Sequence, residues 1–139
     1  MNIDIKSIAI QTIKTEAAAI EKLAGFIDDD FEKTVSLIYN GKGRVIVSGI
    51  GKSAIIASKI VATFNSTGTP AIFLHAADAI HGDLGIIQPD DVIICLSKSG
   101  STPEIKVLVP LIKNLGNKIV AIVSSTNSYL AQKADYVLK

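Results

Sequence analysis

The sequence predicts an α/β fold: a three-layer αβα sandwich around a five-stranded parallel sheet, preceded by N-terminal helices. Three observations predict it. Nearly half of the 139 residues are hydrophobic, yet aromatics are scarce and Trp is absent, so the core must be aliphatic. The aliphatic residues fall in short runs, as in parallel strands buried on both faces. These runs alternate with helical patterns, which calls for right-handed crossovers and helices on both sides of the sheet. A chain of this length reads as one domain over residues 1–139, with residues 1–41 a helical segment packed on it.

In chain order, Ile3, Ile10, Ile13, Ala17, Ile20 and Ala24 stand mostly three and four apart, on one stripe of a long helix that Gly25 ends. The stripe covers the sheet or reaches a second subunit; periodicity does not name the surface it meets. Asp28, Asp29 and Asp30 start a second helix, lined by Phe31, Val35 and Ile38 and closed by Asn40-Gly41. Consecutive acids point in different directions on a helix, so the triplet reads as a solvated helix start rather than a metal site. Residues 45–47 form the first strand, 48–53 a tight loop and 54–64 a helix. The composition of 65–70 (N-S-T-G-T-P) marks a turn, and 71–74 the next strand. His75 opens a loop or short helix through Asp78, His81, Gly82 and Asp83. Gln88-Pro89-Asp90 then turns into the central strand at residues 92–96. In the helix that follows, Pro110 must cost a hydrogen bond and kinks the axis, and Gly116-Asn117 ends it. Residues 118–123 are a strand, 124–128 a second hydroxyl-rich turn, 129–134 a short helix and 136–138 a last strand.

Composition excludes several functions. A formal charge of +1 gives no electrostatic case for nucleic acid or an anionic membrane. The single cysteine, Cys95, rules out an intrachain disulfide and sits in an apolar strand as an inert thiol. No apolar run is long enough to span a bilayer, and the N-terminus lacks a signal peptide's uncharged core. The expectation is a soluble cytoplasmic protein.

The chemistry centres on residues 97–104 (S-K-S-G-S-T-P-E). A buried strand ends at Ser97, hydroxyl residues and a glycine follow, and Thr102 is placed as N-cap of a helix with Pro103 at its first position. Free N–H groups, hydroxyls and the helix dipole converge there, a setting for an anion, most economically phosphate. Parallel sheets bind ligands at the C-terminal ends of their strands, and residues 48–53, 75–83, 97–104 and 124–128 all lie at that edge. Gly51-Lys52-Ser53 resembles the end of a P-loop, but Ile46 stands where that motif needs glycine. Gly49-Ile50-Gly51-Lys52-Ser53-Ala54 fits the relaxed dinucleotide fingerprint, but the next strand ends in Leu74-His75, without the acid that binds ribose. What survives is a glycine loop with Lys52 at a helix N-terminus, an unfavourable place for a cation without an anionic ligand. His75 and His81 are the only histidines, and their spacing suits no shared metal on one helix face. Glu104 lies in the first turn of the central helix, within reach of a ligand held by the preceding turn, and so is a candidate base.

The segments G-K-G-R-V-I-V-S-G-I-G-K-S, S-T-G-T-P-A-I-F-L-H, H-G-D-L-G-I-I and L-S-K-S-G-S-T-P-E together resemble the sugar isomerase (SIS) domain. More narrowly they resemble the arabinose-5-phosphate isomerases of bacterial Kdo and lipopolysaccharide synthesis. The resemblance implies a flavodoxin-like SIS fold, interconversion of D-ribulose 5-phosphate and D-arabinose 5-phosphate, and a homodimer or homotetramer with sites at subunit interfaces. By position it makes Lys52 and Glu104 catalytic, and Gly68, Thr69 and His81 substrate contacts. His75 becomes a zinc position and residues 107–116 a substrate-associated segment. The family usually has glycine and histidine at Ala54 and Ile55, asparagine at Lys98 and glutamate at Ser101. It places a further glutamate and histidine of the site beyond Lys139, and often CBS domains after them, so the chain resembles the front of a SIS domain. The implied mechanism anchors phosphate on Ser97, Ser99 and Thr102, with Ser48. Glu104 or His81 moves a proton between C1 and C2, Lys52 stabilises the enediolate, and no redox cofactor is needed. The alternative is a non-catalytic phosphosugar-binding regulatory module that uses the same pocket.

Overall fold

The structure is a computed structural model that describes residues 4–139. Among these residues, five parallel strands form one sheet: β1 (Val45–Gly49), β2 (Ala71–His75), β3 (Val92–Leu96), β4 (Lys118–Ile122) and β5 (Tyr136–Leu138), ordered β2-β1-β3-β4-β5. Six α-helices accompany them: α1 (Ile5–Lys22), α2 (Asp29–Asn40), α3 (Lys52–Ser66), α4 (Ala76–Ile80), α5 (Pro103–Leu115) and α6 (Tyr129–Lys133).

Successive side chains of a strand point to opposite faces, so the aliphatic runs serve two cores at once. Ile46, Leu74, Ile93, Cys95, Ile119 and Ala121 face α4, α5 and α6. Val45, Val47, Val92, Ile94, Leu96 and Val120 face α2 and α3. The central strand β3 is buried along its whole length, and burial pushes the Cys95 thiol up to about 12, which keeps it protonated and inert.

The N-terminal edge of the sheet is tied by polar groups that strand patterns do not reveal. Arg44 pairs with buried Asp91 at 2.6 Å, and Asp91 also accepts from the backbone N–H groups of Arg44 and Gln88. Burial raises the Asp91 carboxyl, but these donors outweigh it and hold the group below its usual value. The Asn117 amide donates to the carbonyls of Gln88 and Asp91, closing the same edge from β4.

Several local expectations change. Gly25 does not end α1 with a left-handed cap; α1 stops at Lys22 and continues as a 3₁₀ turn over Leu23–Phe26. Ile3, the first member of the expected stripe, lies outside the described residues. α1 buries none of its described side chains, so of the helical segment 1–41 only α2 is packed on the sheet. The acidic triplet does more than meet solvent. Asp28 caps α2 by accepting from the N–H groups of Asp30 and Phe31, and Asp30 accepts from the Val137 N–H at 2.9 Å, tying α2 to β5. α5 runs unbroken through Pro110, which sits on its exposed side while Leu108, Val109 and Ile112 hold the buried side. Gly116, at φ +84°, ends it in the left-handed conformation that a side chain would oppose.

Candidate functional site

The strand order places a topological switch between β1 and β3: the chain leaves β1 through α3 on one face and leaves β3 through α5 on the other. Ligands of open α/β sheets bind in the crevice at such a point, beyond the carboxyl ends of the strands. The two segments flanking it are residues 49–51, before α3, and 97–102, before α5.

The first is a glycine turn because nothing else fits. A Cβ on Gly49 would come within 2.9 Å of the Ser53 backbone, and Gly51 holds φ +58° as the residue before α3. α3 starts at Lys52, earlier than the expected residue 54, so Lys52 projects from the first position of a helix with no capping side chain. It borders a cleft of about 440 Å³ together with Ser53, Ser97, Lys98 and Ser124. Among the described residues Lys52 makes no salt bridge. A lysine beside the positive end of a helix dipole, with no internal counter-charge, favours an anion in that cleft.

The second segment is a hydroxyl turn. Ser97 is buried and its Oγ accepts from the Gly100 N–H at 3.0 Å, and Ser99 Oγ accepts from the Ser101 N–H at 3.4 Å. Thr102 occupies the N-cap position of α5 as expected, but its hydroxyl caps nothing. Asp4, Asp28 and Ser128 do accept from the first turns of α1, α2 and α6. The Thr102 Oγ1 is instead buried without a partner, and so is the Oγ of Ser48 at the end of β1, whose residue is fully buried. Unpaired buried hydroxyls are costly, and with them stand the unbonded N–H groups of the first turn of α5. Glu104 is half-buried in that same turn.

Lys52, Ser48, Ser97, Ser99, Thr102 and Glu104 therefore share the edge at the switch point. The histidines lie further out. His75 ends β2, at the sheet's border, and its Nδ1 accepts from the Ala77 N–H at 3.3 Å with Asp78 3.9 Å away. His81 is exposed at the end of α4. Gly68 and Thr69 follow α3 and precede β2, at the N-terminal edge of the sheet. The length of a five-residue strand, roughly 17 Å, separates them from the C-terminal edge. One chain does not bring them to the switch point. Lys98, where the family usually has asparagine, borders the cleft as a cation that can strengthen anion binding, and Ser53 and Ser124, given no role by sequence reasoning, line it too. The signal for Ser124 was its position just after a strand end, in a hydroxyl-rich turn; Ser53 comes in with the first turn of α3.

Comparisons with known proteins give the family and the fold. Residues 37–139 match the SIS domain. The chain is 49% identical over 130 residues to the arabinose 5-phosphate isomerase KpsF of Escherichia coli O6:H1, covering 93% of this chain and 40% of that protein. It is 48% identical over 134 residues to the arabinose 5-phosphate isomerase KdsD of Pseudomonas aeruginosa, covering 96% of this chain and 41% of that one. The chain thus spans about two-fifths of the length of these relatives. Among solved structures, an E. coli CFT073 protein in complex with arabinose 5-phosphate superposes with a TM-score of 0.83 at 34% identity, over 99% of this chain and 74% of that one. By sequence and by fold, this chain belongs to the SIS-domain family.

Proposed function

We propose that the chain forms the phosphosugar site of an isomerase that interconverts D-ribulose 5-phosphate and D-arabinose 5-phosphate, serving Kdo and lipopolysaccharide synthesis in the cytoplasm. The observation that carries this is the α5 N-terminus. It is left uncapped by Thr102 and preceded by a hydroxyl turn, and it stands across the switch point from Lys52 in a chain nearly half identical to arabinose 5-phosphate isomerases. The phosphate sits on the hydroxyls of Ser97, Ser99 and Thr102, with Ser48 and the first N–H groups of α5. Anchoring it there fixes C1 and C2 of the sugar against the catalytic groups. Glu104 or His81 takes a proton from C1 of the ketose and returns it at C2, and Lys52 stabilises the negative charge of the enediolate between the two steps.

The proton transfer needs no redox cofactor. The proton transfer itself uses no zinc; at His75 the Nδ1 accepts the Ala77 N–H with Asp78 beside it, so a zinc ion there would take Nε2. No group of three His, Cys, Asp or Glu side chains that could hold a metal occurs among the described residues. Among the described residues no helix is long and apolar enough to cross a membrane. We place the working form as a homodimer or homotetramer, in which Gly68 and Thr69 of one copy serve the site of another. The separation of these residues from the switch point within one chain, and the uncovered side chains of α1, support this.

The test pairs turnover with thermal stabilisation. A pentose 5-phosphate at a hundredfold excess over its Kd should add about 2.7 kcal/mol of stability, while the free pentose and NAD should add none. The protein should convert ribulose 5-phosphate to arabinose 5-phosphate. Stabilisation without turnover would make the domain a phosphosugar-binding regulatory module. A response to NAD alone would sink the phosphosugar site in favour of a dinucleotide.

A further inference from the structure

The two hydroxyl-rich turns at the C-terminal edge divide the work. We propose that the β4–α6 turn with the start of α6, residues 123–130, is a clamp that shapes the anion cradle, with Ser101 and Ser128 as its positioning residues; this rests on the phosphosugar reading of the site. Within the cradle itself only two hydrogen bonds hold the backbone, Gly100 N–H to Ser97 Oγ and the long Ser101 N–H to Ser99 Oγ. Three further acceptors of residues 98–101 are met from the clamp. The Lys98 carbonyl accepts from the Ser124 hydroxyl at 2.6 Å and from the Ser124 N–H at 3.2 Å. The Gly100 carbonyl accepts from the Leu130 N–H at 2.8 Å, and Ser101 Oγ accepts from the Tyr129 N–H at 3.1 Å.

Sterics complete the clamp. Gly100 holds φ +64°, and a Cβ there would lie 2.2 Å from Ser128 Oγ and 2.5 Å from Ser128 Cβ. Ser128 is buried, so it has no room to yield. The free N–H groups that open α6 are thereby consumed on the cradle, with Ser128 Oγ accepting the third, from Ala131. The N–H groups that open α5 are not consumed. One turn binds and the other holds. Ser101, placed among hydroxyls that would read as phosphate ligands, is turned to the clamp instead. Donors held in place before the ligand arrives lose less entropy on binding, so the clamp acts on affinity through the shape of residues 97–102.

The experiment is calorimetric titration of the chain with inorganic phosphate and with arabinose 5-phosphate, together with melting curves. Ser101→Ala should weaken both ligands by about tenfold, the scale of one lost neutral hydrogen bond. Ser101→Thr, which keeps the acceptor, should restore the affinity. Because Ser101→Ala could also unfold the domain, Ser101→Thr and Ser101→Val form a second comparison: the pair share a shape and differ in the hydroxyl, so an affinity gap between them reports the bond to Tyr129. In turnover assays the loss should fall on KM rather than kcat. Wild-type binding that Ser101→Ala and Ser101→Val leave unchanged, with only the melting temperature lowered, overturns the clamp alone. Failure of the wild type to bind either ligand overturns the phosphosugar reading and the clamp with it.

Discussion

Lys52 carries the charge argument at the candidate site. It is exposed, makes no salt bridge among the described residues, and packs into neither core cluster. Replacing it therefore removes electrostatic stabilisation without touching the fold. Lys52→Ala should lower turnover by about two orders of magnitude, the usual loss for a preorganised charge partner, with an unchanged melting temperature. Near-normal turnover would return Lys52 to the role of a surface lysine. Asp135 gives the corresponding test for stability. Burial raises its carboxyl, but the Ile119 N–H, Lys113 and Lys118 outweigh that and take it from 3.8 down to about 2. A depressed carboxyl stabilises the fold above its unfolded value and loses that contribution as pH falls through the folded value. Asp135→Asn should thus cost about 2 kcal/mol at neutral pH, with the gap to wild type closing between about pH 4 and pH 2. Denaturant melts across that range measure it, and a gap independent of pH would refute it. At this scale sequence reading found hydroxyls and a lysine by composition, but not their bonds. Thr102 stands at the expected N-cap, yet its hydroxyl turns inward and caps nothing.

Among the elements, α5 combines good and poor sequence signals. Thr102, Pro103 and Gly116 mark its ends, and the structure has it at Pro103–Leu115. Pro110 lies inside the helix, which continues past it, with the ring exposed and Leu108, Val109 and Ile112 buried. The missing N–H remains a local cost. Pro110→Ala should therefore raise stability by about 1 kcal/mol or more, read as a shift in denaturation midpoint with unchanged slope. A lower midpoint would mean that the ring packs usefully. α3 starts earlier than its apolar pattern suggested, since the close approach of Gly49 to Ser53 lets the chain turn into helix at Lys52. That shift matters for function, because it puts Lys52 on a rigid element instead of a loop.

For the whole molecule, the main question is what covers α1. Ile5, Ile13 and Ile20 are each about two-thirds or more exposed, and no described side chain of the helix is buried. In proteins most helical stability comes from packing an apolar face, so the uncovered stripe of α1 calls for a partner surface. Light scattering should show a dimer or tetramer, and a truncation removing α1 should shift it toward smaller species. A monomer at high concentration would contradict this. The sequence by itself determined the α/β class, the five strands and the hydroxyl and glycine turns at their carboxyl ends. A strand buried on both faces must be an aliphatic run, and a turn that faces an anion needs donors and small residues; both are local demands written in consecutive residues. Only the tertiary structure decided which turns touch. It set β1 beside β3 to make the switch point, locked Gly100 against Ser128 and paired Arg44 with Asp91. It also left Gly68 and Thr69 at the opposite edge. Those outcomes depend on pairing between segments far apart in the chain, and no local period encodes which distant neighbour a strand or a turn will meet.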